Sequence, residues 1–272
     1  MVLVDKVSNI YGDEIGFIEQ YDFSRANLDY ESRVKAVTTV ASICYASEDR
    51  SIGSEKLFTK LQQEALGLPS SSFEFVPVLL SMRKVSQCEI LANQENFNPL
   101  DIEKFGEYVE NNKYLLTNLR ALLNTVGEEY IDKFYNTEEE CEIIKKHFKV
   151  FKLKIDLPTR SQLVRHSLLN LQELSRRYTT DKKVPIELYL TDSLKDFEEE
   201  LKEMIDIYKV LIKKGVKAEE ARRVLPQGIY TQIWVGFQPR ALKVFLGERT
   251  KSSAQKEIRI VAKEIEKMLK KD

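Results

Sequence analysis

The most constraining feature of the sequence is the spacing of apolar residues in the segment 162–178. At about 100° per residue, as in an α-helix, the apolar residues fall on one arc and most polar residues on the other. The apolar set is Leu163, Val164, Leu168, Leu171 and Leu174. This pattern predicts a half-buried helix over the whole segment, with a polar face open to a ligand or to solvent.

The basic residues around this segment are unusually rich in arginine. The chain has twice as many lysines as arginines, yet residues 155–181 contain four arginines and no lysine. A guanidinium group is planar and binds phosphate or carboxylate through paired donors, whereas an ammonium group is a strongly hydrated point charge. Mixed with Gln, Asn, Ser, His and Glu, these arginines suit a ligand that is anionic at one end and amide-like at the other, such as a nucleotide. A solvent-exposed face with a chance arginine cluster is the alternative.

Composition indicates a globular chain without a general attraction for polyanions. The 272 residues are 43% hydrophobic and 10% aromatic, and no linker or internal repeat divides them, so we predict one domain over residues 1–272. The formal net charge is −1, which argues against nucleic acid or anionic membrane as a partner. The same low net charge disfavours a nucleic-acid-binding role for the arginine-rich segment.

Two further classes of protein are disfavoured by the sequence. No apolar run is long enough for a membrane span and the first residues do not resemble a signal peptide, so we expect a cytoplasmic protein. Cys44, Cys88 and Cys141 are far apart, and His147 and His166 are the only histidines. This spacing predicts neither a disulfide framework nor a metal site.

Periodicity also predicts the local elements. Proline is tolerated in the first turn of a helix, so Pro158 is expected to open the central helix and Pro99 a long earlier one, with Asn98 as its N-cap. Gly215 is expected to end a helix. The predicted helices are 30–45, 54–66, 98–126, 128–147, 194–211, 218–225 and 254–268, and the predicted strands are 73–78 and 151–157. A short run at 186–190 is left unassigned.

The order and spacing of several uncommon residue groups resemble one known family. The groups are Arg165-His166, Glu173-Leu174-Ser175, Arg177-Tyr178, Ala221-Arg222-Arg223-Val224-Leu225-Pro226, Tyr230-Thr231, Arg240-Ala241-Leu242, Phe245-Leu246, Arg249, Ala254-Gln255 and Glu257-Ile258-Arg259. They resemble the conserved segments of the flavin-dependent thymidylate synthases, the ThyX family. The resemblance extends from about Phe148 to Lys267 and is weak over residues 1–70.

The resemblance implies a fold, a reaction and an assembly. The implied fold is α+β and helix-rich, with a small antiparallel sheet flanked by helices. The implied reaction is methylation of dUMP to dTMP, with methylene-tetrahydrofolate as carbon donor and FAD reduced by NADPH as hydride source. No cysteine nucleophile is required, which agrees with the absence of cysteine near the segment 162–178. The implied assembly is a homotetramer with active sites where subunits meet.

The resemblance also implies site residues. Arg249 matches the arginine at the uracil edge and is the expected catalytic residue. The dUMP-binding set is Gln162, Arg165, Glu173, Ser175, Arg176, Arg177, Arg222 and Arg249, and the FAD-binding set is Ser71, Glu74, Arg165, His166, Ser167, Glu173, Gln238 and Arg240. Structural alternatives stay open for several of them, since Arg240 could cap a helix, His166 could be a boundary histidine and Glu74 an exposed strand residue. Arg223 is expected to point to solvent, and Arg120 to be scaffold.

The departures from the family pattern concentrate on the flavin side. Ser167 replaces the second arginine of Arg-His-Arg, Val244 and Gln238 replace asparagines, and Pro69 and Phe75 replace histidines, while Arg176 replaces a small residue beside the nucleotide phosphate. Two hypotheses follow. The chain is a divergent working synthase, or it is a paralogue that acts on another pyrimidine nucleotide or binds nucleotide with weakened or lost flavin binding.

Overall fold

The computed structural model describes residues 1–63, 69–95 and 101–271. The strands are β1 (Val2–Ser8), β2 (Phe17–Asp22), β3 (Pro77–Ser81), β4 (Glu107–Val109), β5 (Tyr114–Asn118), β6 (Lys149–Asp156), β7 (Asn170–Glu173) and β8 (Tyr230–Phe237). The helices are α1 (Tyr30–Ser42), α2 (Glu48–Ser51), α3 (Glu55–Gln62), α4 (Met82–Glu95), α5 (Asp101–Lys104), α6 (Leu119–Val126), α7 (Glu138–His147), α8 (Leu157–Leu163), α9 (Glu198–Lys213), α10 (Ala218–Ala221), α11 (Pro239–Arg249) and α12 (Lys256–Leu269). Short 3₁₀ segments occupy Ile43–Tyr45, Ser71–Phe75, Glu128–Phe134, Asp192–Phe197 and Arg222–Val224.

The larger sheet has five antiparallel strands in the order β1-β2-β6-β8-β7. Alternating residues of β6 and β8 point to opposite faces, as the two-residue repeat of a strand requires. One face packs against α8, α11 and α12 in a buried cluster that includes Phe151, Leu153, Ile233, Val235 and Ile258. The face that carries Lys152 and Trp234 lies on the opposite side.

The smaller sheet has three antiparallel strands in the order β3-β5-β4. It packs with α1, α4 and α6 in a second buried cluster, which reaches the larger sheet through Val150 and Trp234. A third, small cluster joins α9 and α10 to the start of β8 through Tyr208, Ala221 and Ile229. The predicted α+β class, with antiparallel sheets flanked by helices, is confirmed. Among the described residues, none of the helices combines the length and apolarity needed to cross a bilayer.

Several element predictions are confirmed. The alternation at 151–157 corresponds to β6, and the helical repeats at 30–45 and 254–268 correspond to α1 and α12. Helix α9 begins four residues later than predicted, after a 3₁₀ segment, and is followed by Gly215 at φ +84°. The predicted helix 54–66 is α3 as far as Gln62, with the Ser54 side chain as N-cap, and its last three residues lie outside the described part.

The predicted helix 98–126 was wrong. Only the short α5 and, from Leu119 on, α6 are helical. Residues 107–109 and 114–118 between them form strands, and α6 begins where the Asn118 side chain accepts a hydrogen bond from the backbone N–H of Ala121 at 2.9 Å. The proposed cap Asn98 and the neighbouring Pro99 lie outside the described residues. Pairing of Leu115 and Leu116 with β3, a distant strand, overrides the local helical spacing.

Two other predictions need correction. The predicted strand 73–78 is a 3₁₀ segment at Ser71–Phe75, and β3 begins at Pro77, where a strand tolerates proline. The predicted helix 128–147 is a 3₁₀ segment followed by α7, which starts with a capping box made by Thr137 and Glu140. The run at 186–190 makes a single bridge, between Leu188 and Ile229, and is otherwise irregular.

Candidate active site

The segment 162–178 is not one helix, and this prediction was wrong. Helix α8 starts with the Asp156 side chain as N-cap and Pro158 in its first turn, as expected, but it ends at Leu163. After a turn, residues 170–173 form β7, which pairs with β8 in the register Asn170↔Gly236 to Glu173↔Ile233. Leu168, expected in the core, is 53% exposed. The segment therefore carries polar side chains into several regions instead of one helix face.

A cavity of about 480 Å³ lies at the end of β7 and the start of β8. Four arginines line it, and we call it the arginine cavity. Of the predicted dUMP-binding residues, it contains Glu173, Ser175, Arg176 and Arg222. The full lining is Leu157, Arg160, Glu173, Leu174, Ser175, Arg176, Arg222, Arg223, Leu225, Gln227, Ile229, Tyr230 and Thr231.

Glu173 is fixed inside the arginine cavity by two side chains that sequence reasoning missed. Arg160 donates to Glu173 Oε2 from Nε at 2.8 Å and also from Nη2. The Thr231 hydroxyl donates to Glu173 Oε1 at 3.0 Å. The carboxylate is therefore charge-paired and held at both oxygens. Arg160 was counted in the arginine-rich stretch, but only the turn after α8 and the pairing of β7 with β8 bring it to Glu173.

Arg176 forms a fixed part of the cavity wall. Its Nη1 and Nη2 donate to the backbone carbonyls of Val184 and Pro185 at 2.7 and 2.9 Å. Burial lowers the pKa of this guanidinium, opposed by Tyr208 and by the carboxylates of Glu187 and Asp181. Its two terminal nitrogens are occupied by carbonyls, whereas its buried Nε has no hydrogen-bond partner among the described residues.

Arg223 lines the arginine cavity and its side chain is 75% exposed, so it faces solvent as the sequence predicted. Arg222 and Arg223 form the 3₁₀ segment that follows α10, and both are exposed. Arg223 Nε donates to Glu220 Oε2 at 3.1 Å. Within the described part of the chain, the Arg222 side chain has no hydrogen-bond or ion-pair partner and is open to a ligand.

The other predicted dUMP-binding residues lie outside the arginine cavity. Arg177 forms an exposed ion pair with Glu219 at 3.0 Å, and Arg165 is exposed in the turn between α8 and β7. Arg249 donates from Nε to His166 Nε2 at 2.9 Å and from Nη2 to the backbone carbonyl of Gln162 at 3.2 Å. Of Arg177, Arg222 and Arg249, only Arg222 lines the arginine cavity of its own chain.

The hydrogen bond from Arg249 determines the protonation state of His166. Because Nε2 accepts the hydrogen bond, the ring is neutral with its proton assigned to Nδ1. Burial, and then the nearby Arg249 charge, lower the pKa of His166, with Glu248 acting in the opposite direction. His166 also packs edge-on against Phe245 at 5.3 Å between ring centroids.

A second cavity, of about 600 Å³, holds four of the predicted FAD-binding residues. Glu74, Ser167, Gln238 and Arg240 line it. We call it the glutamate cavity because three glutamates take part, and its further lining is Glu103, Lys104, Phe105, Gly106, Glu107, Asn118, Leu168, Leu169, Asn170 and Ala241. A smaller cavity of about 230 Å³ adjoins it and shares Glu74, Lys104, Phe105 and Asn118.

Contacts within the chain hold the walls of the glutamate cavity. Glu107 Oε2 accepts a hydrogen bond from the backbone N–H of Arg240 at 2.8 Å, and Gln238 Nε2 donates to the Phe105 carbonyl at 2.9 Å. Glu74 pairs with Arg120, so Arg120 does contact a predicted site residue. Strand β7 links the two cavities, because Asn170 lines the glutamate cavity and Glu173 the arginine cavity.

The remaining predicted FAD-binding residues are placed elsewhere. Ser71 donates to Gln172 Oε1 at 2.6 Å, beside β7. Arg165 and His166 lie in the turn after α8 and do not line the glutamate cavity. Glu173 lines the arginine cavity. The described residues contain no group of three or more His, Cys, Asp or Glu side chains arranged to hold a metal ion.

Comparison with known proteins identifies the family. The sequence model described as thymidylate synthase complementing protein matches residues 106–272, more than half of the chain. The chain belongs to this family. The match contains every residue that lines the arginine cavity, whereas Glu74, Glu103, Lys104 and Phe105 of the glutamate cavity precede it.

Curated relatives in this family are named flavin-dependent thymidylate synthase. The protein from Pyrococcus furiosus is 37% identical over 121 residues, 41% of this chain and 50% of that protein. The protein from Geobacter sulfurreducens is 36% identical over 116 residues, 40% of this chain and 50% of that protein. The chain thus spans about half the length of these curated relatives.

A solved structure is also similar. The thymidylate synthase ThyX from Helicobacter pylori, with FAD and dUMP, is 20% identical and matches 44% of this chain and 66% of that chain. The TM-score is 0.40.

Proposed function

We propose that this chain is a flavin-dependent thymidylate synthase, which methylates dUMP to dTMP. Methylene-tetrahydrofolate would donate the carbon and NADPH would reduce FAD. Family membership supports the reaction class, and the arginine cavity supports the substrate. The single observation that carries the proposal is the position of β7, which joins an arginine-lined cavity to a neighbouring cavity that contains four predicted FAD-binding residues.

The arginine cavity has the chemistry that a nucleotide monophosphate needs. The Arg222 side chain has no partner in the described chain and Arg176 adds fixed positive charge, which suits a phosphate group. Ser175 and Gln227 offer a hydroxyl and an amide to the sugar and base. Glu173 is paired with Arg160, so its carboxylate does not oppose the phosphate as a free charge would.

The residues of the glutamate cavity fit FAD. Lys104 and Arg240 are cations that could hold a pyrophosphate, and Ser167 and Gln238 could bind the edges of a flavin ring. Each glutamate has its own partner: Glu74 pairs with Arg120, Glu103 accepts from the Tyr108 hydroxyl and Glu107 accepts from the Arg240 N–H. When bound, FAD supplies the hydride that completes the methyl group.

Three predicted dUMP-binding arginines that lie outside the arginine cavity are relevant to the oligomeric assembly. We infer a homotetramer with active sites at subunit interfaces, in which Arg165, Arg177 and Arg249 would serve a site shared with a neighbouring subunit. Arg165 is exposed and has no partner within the described chain, which supports such a role. Arg249 at the uracil edge would stabilise the deprotonated ring nitrogen and make the 5-carbon more nucleophilic. Light scattering after gel filtration measures the assembly, and a monomer would contradict it.

Flavin absorbance and tritium release test the function. The purified protein is expected to show flavin absorbance, or to gain it on addition of FAD. It should release tritium from the 5-position of labelled dUMP when FAD, methylene-tetrahydrofolate and NADPH are present. Arg222→Gln should lower this release at low dUMP concentration.

The control is Arg25→Gln, because Arg25 forms an exposed ion pair with Glu138 away from both cavities. Its release should match that of the unaltered protein. A colourless protein that releases no tritium with all components present would contradict the proposed function. Flavin binding without release would point to the paralogue hypothesis instead.

A further inference from the structure

Helix α9 has apolar residues on two sides, and the described chain covers only one of them. Ile205 and Tyr208 are buried in the small cluster beside the arginine cavity. Met204, Ile207 and Val210 lie on another side of the helix and are 37%, 52% and 49% exposed. Three large apolar residues in successive turns form a continuous patch, and such patches mark interaction surfaces.

Charged residues continue this exposed stripe at both ends, with opposite sign. Steps of three or four residues keep side chains on one face of a helix. Counted back from Ile207, such steps reach Glu203 and Glu200, and counted forward they reach Lys214, the residue after α9. The side chains of Glu200, Glu203 and Lys214 have no ion-pair partner among the described residues, whereas Lys202 on another side of α9 pairs within the helix. The stripe is therefore acidic at one end, apolar in the middle and basic at the other end.

A second copy of this stripe is its complement when the two helices run antiparallel. If they cross about a twofold axis at Ile207, residue 200 of one copy lies opposite residue 214 of the other. Glu200 then faces the partner's Lys214 at both ends of the contact. Met204 faces the partner's Val210, and the two copies of Ile207 pack against each other at the axis. A parallel pair would place like charges opposite each other instead.

Two further features favour a second copy over a membrane as the occupant of this face. The first turn of α9 contains Glu198, Glu199 and Glu200, whereas helices that lie on anionic membranes are rich in lysine and arginine. Phe197, which precedes α9, and Val216, which follows it, are also exposed. The antiparallel arrangement brings the end that carries Phe197 to the end of the partner that carries Val216, which extends the apolar contact.

We propose that the exposed stripe of α9 is a self-association surface, through which two copies of this chain pair antiparallel about a twofold axis at Ile207. The contact goes beyond the proposed function, because it uses a different side of α9 from the one that packs beside the arginine cavity. Helix α9 has 16 residues and is about 24 Å long, so one helix pair buries less than a standard protein interface. We therefore expect association in the micromolar range.

Light scattering of the full chain over a series of micromolar concentrations tests this inference. At the highest concentration, the mass of the unaltered protein should be at least twice that of Ile207→Glu, which places two like charges at the axis. Ile90→Glu is the matched control, because Ile90 is a 60% exposed isoleucine on another helix, α4. This control should associate as the unaltered protein does, and circular dichroism should show that both variants are folded.

Charge reversal tests the antiparallel register. Glu200→Lys or Lys214→Glu alone should weaken the association about tenfold, because like charges then face each other at both ends. The double variant should restore it. Both reversals oppose the helix dipole, so restoration would not come from a more stable helix.

Three outcomes would overturn the inference. In the first, Ile207→Glu has the same mass as the unaltered protein, and in the second, the double reversal fails to restore association. In the third, the unaltered chain but not Ile207→Glu binds vesicles of phosphatidylcholine and phosphatidylglycerol without a difference in mass, which would assign the face to a membrane. Tritium release from labelled dUMP is measured separately, so a working synthase that does not associate through α9 would leave the proposed function in place.

Discussion

Arg160 and Glu173 form an ion pair in which two guanidinium nitrogens, Nε and Nη2, donate to the same carboxylate oxygen. The Thr231 hydroxyl holds the other oxygen. The family resemblance assigned Glu173 to the site but not Arg160. The pair therefore shows how this chain neutralises a carboxylate that faces its candidate nucleotide cavity.

Replacing Arg160 should impair nucleotide binding. In Arg160→Gln the Glu173 carboxylate loses its charged partner and repels the phosphate, so KM for dUMP should rise about tenfold, the effect of roughly 1.4 kcal/mol. The tritium-release assay over a range of dUMP concentrations measures it. Arg160→Lys keeps the charge but not the two-bond geometry and should have a smaller effect. An unchanged KM in Arg160→Gln would show that Glu173 needs no neutralisation.

Acidification should destabilise the protein through His166. Its pKa is lowered in the folded state by burial and by Arg249, while the unfolded chain binds the proton near the ordinary value of 6.5. The stability that depends on neutral His166 is thus present above pH 6.5 and is lost as pH falls below it. Urea unfolding at pH 7.5 and 5.5 measures the loss.

His166→Gln is the comparison, since its amide oxygen can accept the bond from Arg249 without titrating. The unaltered protein should lose more stability between the two pH values than this variant. Equal losses would mean that His166 does not contribute to the pH dependence.

Arg33 should be a strong contributor to stability. It is fully buried, donates to Asn27 Oδ1, to Asp132 and to the Ile131 carbonyl, and lies 3.8 Å from the centroid of the Tyr135 ring. Arg33→Met leaves two buried acceptors without a donor and should lower the free energy of unfolding by about 3 kcal/mol. Asp132→Asn should cost about 1 kcal/mol or less, because that side chain is 67% exposed. Denaturant unfolding of both variants measures the difference, and similar losses would contradict it.

Gly106 should be intolerant of a side chain. A Cβ there would lie 2.5 Å from the Ile102 carbonyl oxygen and 2.8 Å from Leu115 Cδ1. Gly106→Ala should therefore destabilise the protein by about 1 to 3 kcal/mol and disturb the glutamate cavity, seen as weaker FAD binding. Gly247→Ala is the matched control, since a Cβ there meets nothing within 4 Å inside α11 and should stabilise by about 0.5 to 1 kcal/mol. Thermal unfolding with FAD titration measures both, and a neutral Gly106→Ala would contradict the packing.

The spacing of apolar residues predicts an element correctly when the residues of that element alone are sufficient to form it. The alternation of Phe151, Leu153 and Ile155 predicted β6, and the repeat of Ile258, Val261 and Ile265 predicted α12. These elements each present one regular apolar face to a core, so the sequence repeat and the buried face coincide. Four dUMP-binding residues and four FAD-binding residues assigned from the family resemblance also line the two cavities.

The sequence by itself determined the main amphipathic elements and the residue types of a nucleotide site, and its family resemblance implied the α+β class. Only the tertiary structure decided that 170–173 is a strand, because that strand exists through pairing with β8. A Cβ at Gly236 would lie 3.1 Å from Asn170 Cβ, so the close approach of the two strands depends on a residue far along the chain. In the same way, Glu173 meets Arg160 across 13 positions and Thr231 across 58. The periodicity of apolar residues indicates which face of one segment is buried. Strand partners and cavity neighbours, in contrast, are determined by contacts between distant segments.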